Sequence, residues 1–208
     1  LASGEIDMLA RNTTWTFSRD VDLKFEFVGV NYYDGQGFMA KADLGVSSAT
    51  ELDGATVCIQ TGTTTELNLA DFFRSNNMSY EAVPVETGSE AVTNYLAGAC
   101  DVFTTDRSAL AARRANFEVP TDHVVLPEIV SKEPLGPLVR HGDNNWGDVV
   151  RWTLNALITA EELGVTSANL EEMSKGTNNP EMNRLLGSEG NLGAVSYTHL
   201  TLPTRLMV

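Results

Sequence analysis

Apolar positions follow two rhythms along this chain. A short run of apolar and β-branched residues, Ala55-Thr56-Val57-Cys58-Ile59, predicts a buried strand, and the stretches at 80–85, 101–105 and 123–126 predict further strands. Between them the spacing lengthens. Leu69, Phe72, Phe73 and Asn76 recur at helical intervals, residues 87–98 predict a helix stopped by Gly98, and residues 108–115 a third helix opened by Asp106. The order strand, helix, strand, helix, strand, helix, strand, with short connections, predicts an α/β fold with a parallel sheet wound by helices. Upstream, residues 6–10 predict a short strand that runs into the polar cluster Arg11-Asn12-Thr13-Thr14.

Polar chemistry gathers where these strands end. In Thr61-Gly62-Thr63-Thr64-Thr65-Glu66 a strand gives way to a helix, with Thr63 and Glu66 at capping-box spacing. Backbone N–H groups, two hydroxyls and the positive end of a helix dipole converge there, which suits a small anion such as a carboxylate. The plainer alternative is an ordinary capped helix. Thr63, Thr64 and Asp106 all fall at carboxyl ends of strands, where ligands bind in wound sheets. An anion site beside a carboxylate fits a molecule with both charges on one carbon, an α-amino acid. Arg19, just beyond the upstream polar cluster, can give a carboxylate two parallel N–H bonds. Its competing role is a surface pair with Asp20 or Asp22.

Charge and composition remove other classes. A formal charge of −14 over 208 residues disfavours nucleic acid and anionic membrane as partners. No apolar run reaches the roughly 20 residues of a membrane span, so direct membrane insertion is not expected. Three histidines and two cysteines in no metal spacing argue against a zinc site, and no cofactor is expected. No phosphate-binding loop or Gly-x-Ser-x-Gly elbow is present. Cys58 and Cys100 sit at similar depth on two strands of one sheet, near enough to bond, and read from the residues they are either two buried thiols or a disulfide. The chain starts at Leu1 with no signal peptide and runs straight into structure, so an amino-terminal truncation is expected.

With Asn-Thr-Thr-x-Thr-x-Ser-Arg at 12–19, Thr-Gly-Thr-Thr at 61–64 and Thr-Thr-Asp at 104–106, in this order, the chain resembles polar amino-acid-binding proteins of ABC importers. Residues 29–39 and 58–69 carry the same resemblance, which runs from Leu1 to about Gly193. It implies two α/β lobes joined by a two-strand hinge: 1–30 a partial first lobe, 31–34 a hinge crossing, 35–132 a complete second lobe, 133–139 the return crossing and 140–193 the rest of the first lobe. It also implies a binding role without catalysis. An L-amino acid is held between the lobes and passed to the membrane subunits of an ABC permease, by a monomeric protein of the periplasm. An oxidising periplasm favours the Cys58–Cys100 bond.

By position, the resemblance makes Arg19 the clamp on the ligand α-carboxylate, with Thr14 a main-chain and side-chain contact. Thr63 and Thr64 become the second-lobe carboxylate site, and Asp106 the acceptor for the α-ammonium. Asn12 lies on the same wall. The missing part of the first lobe leaves most of the side-chain pocket, and so the ligand's identity, out of view. It also leads to the expectation that the chain alone binds poorly.

Two rivals share the fold. A cyclohexadienyl dehydratase-like enzyme would act on an acid with no ammonium group, which leaves Asp106 uncompensated. A receptor's ligand-sensing domain would need signalling parts outside these residues. Near Gly193 the resemblance stops, and residues 194–208 read as a non-native tail.

Overall fold

The computed structural model describes residues 1–190; the tail reading for 194–208 lies outside them. Its early elements are β1 (Met8–Leu9), β2 (Phe25–Phe27) and β3 (Tyr32–Asp34). There follow β4 (Gln36–Lys41), β5 (Ala55–Gln60), α1 (Thr64–Ser75), β6 (Tyr80–Val85) and α2 (Gly88–Leu96). After these come β7 (Val102–Asp106), α3 (Arg107–Ala115), β8 (His123–Val125), β9 (Glu133–Leu135) and β10 (Leu138–Arg140). Then α4 (Asn144–Glu162), α5 (Leu170–Met173) and α6 (Pro180–Leu186) complete the set. The described residues form two α/β units: Tyr32–Pro134 is one, and Leu1–Asn31 with residues 135–190 is the other. Strands β3 and β9 pair in a two-stranded sheet where the chain passes from unit to unit.

The Tyr32–Pro134 unit is a five-stranded sheet in the order β6-β5-β7-β4-β8. Side chains alternate across it, as strand geometry requires. Phe38, Ala40, Val57, Ile59 and Val102 join Leu69 and Phe73 of α1 on one face. Met39, Cys58 and Phe103 meet Ala91 and Tyr95 of α2 and Leu110 of α3 on the other. With both faces covered, the interior strand β5 reads as a nearly continuous apolar run, whereas the edge strand β6 is largely exposed.

The expectation of a parallel sheet needs one correction. Strands β6, β5 and β7 are parallel, but β4 lies antiparallel between β7 and β8. Its run Gln36-Gly37-Phe38-Met39-Ala40 is buried on both sides and so carries no strand alternation. Sitting between β7 and β8, it makes the sheet mixed.

Cys58 and Cys100 form a disulfide, with Cα atoms 5.6 Å apart. The strand-depth argument is nevertheless corrected. Cys58 stands level with Phe103 in the β5–β7 register, whereas Cys100 precedes β7 altogether. The turn after α2 folds back through Asp101, whose N–H donates to the Thr56 carbonyl at 3.0 Å, and this brings Cys100 to Cys58.

In the same layer, His123 is buried and lies 2.8 Å from the Tyr95 hydroxyl through Nδ1. Burial holds its imidazole below the usual pKa, and Asp122 offsets this in part. Burial and then Asp43 push the Tyr95 phenol up. A histidine depressed below its unfolded value of about 6.5 contributes stability that is fully present above that pH. The contribution is lost as pH falls through the folded pKa. The carboxyls of Asp53 and Asp101, held down by hydrogen bonds from Ser79 and Thr56, lose theirs only in more acid solution. We therefore expect the unfolding midpoint in urea to drop between about pH 7.5 and 5, and to drop less in His123→Gln. Equal drops would remove His123 from the account.

The other unit has a three-stranded antiparallel sheet, β1-β10-β2, with α4, α5 and α6. Its buried apolar cluster is thin, consisting of Val28, Val139 and Val150 with Trp146 against them. On α4, Trp152 is 67% and Leu157 64% exposed. Gly136 is fixed by close approach, since a Cβ there would stand 1.9 Å from the Gly29 carbonyl oxygen. Among the described residues, no helix is long and apolar enough to cross a membrane.

Candidate functional site

Helix α1 begins as the spacing predicts. Gly62, at a positive φ of 69°, turns the chain out of β5. Thr63 is the N-cap, its Oγ1 accepting from the Glu66 N–H at 3.3 Å. Glu66 reaches back one residue further than a standard capping box and accepts from the Gly62 N–H at 2.9 Å. Helix geometry gives the N–H groups of Thr64 and Thr65, in the first turn, no intrahelical acceptor.

The two hydroxyls expected to join them are engaged elsewhere. The Thr63 hydroxyl donates to the Gln60 carbonyl at 2.8 Å, and that of Thr64 to Glu133 at 3.3 Å. What this turn can offer an anion is therefore its main-chain amides and the helix dipole.

Asp106 ends β7, the parallel neighbour of β5, so it shares a sheet edge with this turn. Its carboxylate makes no capping bond to α3, although it occupies the N-cap position. Asp34 does that work instead. It accepts from the Ser108 hydroxyl and, at 3.4 Å, from the Ser108 N–H, while the Gly35 carbonyl takes the Arg107 N–H. The Asp106 side chain is 5% exposed and lies at the carboxyl end of its strand.

In the other unit the structure brings Arg19 and Thr14 together. Arg19 lies on a single-turn π-helix, Ser18–Asp22, and its guanidinium donates to the Thr14 carbonyl at 2.8 Å. Thr14 is buried and bridges Leu135 in antiparallel fashion. Asp20, the competing partner for Arg19, accepts from the Trp15 indole N–H at 2.6 Å and stands 3.6 Å from His141. Asn12 is exposed beside this segment.

Over 193 residues, 93% of its length, the chain is 64% identical to the glutamate/glutamine/aspartate/asparagine-binding protein BztA of Rhodobacter capsulatus, of which it spans 57%. It is 57% identical over 189 residues, 91% of the chain, to the general L-amino acid-binding periplasmic protein AapJ of Rhizobium johnstonii, and spans 55% of it. A periplasmic binding protein of an ABC transporter from Brucella ovis, solved with glutathione bound, superposes with a TM-score of 0.88 at 54% identity. That match covers 95% of this chain and 62% of the Brucella one. Over nearly all of its length the chain is similar to periplasmic amino-acid-binding proteins of ABC transporters. No family model matches it. The chain thus spans little more than half the length of the curated relatives it matches.

A cluster of buried polar side chains escapes sequence reading. Five buried polar side chains, Gln36, Thr65, Thr104, Asp106 and Glu133, fall in the Tyr32–Pro134 unit, near the carboxyl edge of its sheet. Gln36 stands opposite Asp106 in the β4–β7 register, and its Nε2 donates to the Thr65 carbonyl and the Thr104 hydroxyl. Its Oε1 has no partner among the described residues. The Glu133 signal, a charged residue ahead of a proline, is indistinguishable in sequence from a loop. A cavity of about 670 Å3 in the same unit, lined by Tyr33, Arg107, Arg114 and Ile129 among others, includes none of the expected site residues. Among the described residues, no group of three or more His, Cys, Asp or Glu could hold a metal ion.

Proposed function

We propose that this chain carries the ligand-recognition groups of an extracytoplasmic receptor that captures an L-amino acid and delivers it to the membrane subunits of an ABC permease. The observation that carries this is the shared sheet edge. It presents an amide-rich helix start for a carboxylate and, at Asp106, a buried carboxylate for an ammonium. In the other unit Arg19, held against Thr14, offers donors that suit a carboxylate, and Asn12 is a further ligand contact. Thr63 and Thr64 contribute through the backbone. The periplasm as its compartment follows the relatives and is consistent with the Cys58–Cys100 disulfide. The protein acts as a monomer and a binder, not an enzyme. The hinge crossings fall at 31–34 and 133–139.

The relatives widen the ligand class. BztA is described for acidic amino acids and their amides, and AapJ for amino acids in general. Glutathione, bound in the Brucella protein, carries an ammonium and a carboxylate on the α-carbon of its γ-glutamyl end. The same head recognition therefore serves it. The test is calorimetric titration with glutamate, glutamine, aspartate, asparagine, a neutral aliphatic amino acid and glutathione. The protein used is a receptor in which this chain replaces the matching residues of the Rhodobacter capsulatus protein. Micromolar or tighter binding of an α-amino acid is expected. Binding of none of them, by a folded receptor, would overturn the proposal.

A further inference from the structure

Glu133 is 2% exposed, and its carboxylate accepts from three side chains, two of them on α1. Oε1 accepts from Asn68 Nδ2 at 2.8 Å and from the Ser131 hydroxyl at 2.6 Å; Oε2 accepts from the Thr64 hydroxyl at 3.3 Å. Thr64 and Asn68 stand four residues apart on α1 and so present one face of its first turn. Ser131 is itself anchored, because its Oγ accepts from the Gln36 N–H at 3.1 Å. Gln36 also donates to the Thr65 carbonyl at 3.1 Å. The turn is thereby gripped from two sides, through side chains by Glu133 and through a carbonyl by Gln36.

A buried carboxylate is costly unless several donors satisfy it. Here two of the donors, Thr64 and Asn68, belong to the helix whose first-turn amides are left open by helix geometry. We propose that Glu133 is a positioning residue for ligand recognition: its carboxylate fixes the first turn of α1 so that the Thr64 and Thr65 amides stay aimed at the ligand carboxylate. This rests on the reading that the turn is where that carboxylate binds. Glu133 acts through Thr64 and Asn68. Its negative charge does not itself favour an anion nearby, so a loss of affinity on removing that charge could not come from lost attraction.

Amide hydrogen exchange on the full chain tests the positioning without any ligand. Glu133→Ala should speed exchange at Asn68 and Leu69 about tenfold or more, with the start of α2 unchanged as an internal control. Glu133→Gln keeps one acceptor oxygen, and the Thr64 and Ser131 hydroxyls can reverse to accept from its amide. It should stay within about threefold of the parent. Unchanged exchange in Glu133→Ala, or a uniform rise across the whole unit, would overturn the proposal. In the chimaeric receptor, Glu133→Ala should weaken glutamate and its deamino analogue by similar factors, and Glu133→Gln should restore most of the loss. Loss confined to the amino acid in Glu133→Gln would make Glu133 an ammonium contact and overturn the positioning role. Unaltered affinity in Glu133→Ala would overturn it too. A parent receptor that binds no amino acid defeats the functional reading, while the exchange data still decide whether Glu133 holds the turn.

Discussion

Asp106→Ala in the chimaeric receptor is expected to weaken amino-acid binding at least about thirtyfold. Removing one partner of a buried charge pair costs roughly 2–5 kcal/mol, much of it the penalty of leaving the other charge unpaired. Each ~1.4 kcal/mol is tenfold in affinity. A ligand of the same shape without the amino group should lose far less, because it brings no cation to strand. The comparison is decisive because Asp106 does not cap α3 in this structure; Asp34 holds that helix start through Ser108. Calorimetry with glutamate and its deamino analogue reads the difference. Equal losses would return Asp106 to a structural role at the end of β7. No loss for either ligand would sink the assignment of this edge to amino acids.

The second large effect concerns the disulfide. Cys58 and Cys100 close a loop with a sequence separation of 42, all within the Tyr32–Pro134 unit. Restricting an unfolded chain by a loop of that size is worth up to about 4 kcal/mol in the chain-entropy account, with measured values commonly ~2–4. Replacing both cysteines by alanine should therefore lower the stability of this unit by about 2–4 kcal/mol. The molecule offers a way to see it unit by unit. Its three tryptophans, Trp15, Trp146 and Trp152, all lie in the other unit, whereas Tyr95 packs beside the disulfide layer. Exchange protection in β5 and β7 should fall markedly. Protection unchanged there, with only the tryptophan transition shifted, would show that the bond does not limit the unfolding of its own unit.

Much of the Tyr32–Pro134 unit was legible in the chain because its signals are local. An unbroken apolar run at 55–59 and a threonine three residues before a glutamate mark a strand and a cap whatever surrounds them. So β5, β6, β7 and the starts of α1 and α2 emerge where the spacing puts them. The family resemblance, likewise, rested on residues 12–19, 61–64 and 104–106, whose order survives in one dimension.

Other features depend on partners distant in sequence. Strand β4 is a strand because β7 and β8 flank it, and its double burial erases the alternation that would have announced it. The disulfide forms because a turn folds back to Thr56, not because two cysteines share a strand depth. Whether the Asp106 side chain caps its helix was open until Asp34, more than seventy residues earlier, took the bonds from Ser108.

The sequence by itself determined the elements of the α/β unit, their order and the polar residues at the strand ends, because each arises from side-chain rhythm within a few residues. Only the tertiary structure decided how those polar residues are used. It sent the Thr63 and Thr64 hydroxyls inward, spared Asp106 from capping, and gathered Thr64, Asn68 and Ser131 around Glu133. A hydrogen bond or a buried charge is satisfied by whatever the fold brings within about 3 Å, and distance along the chain places no limit on that.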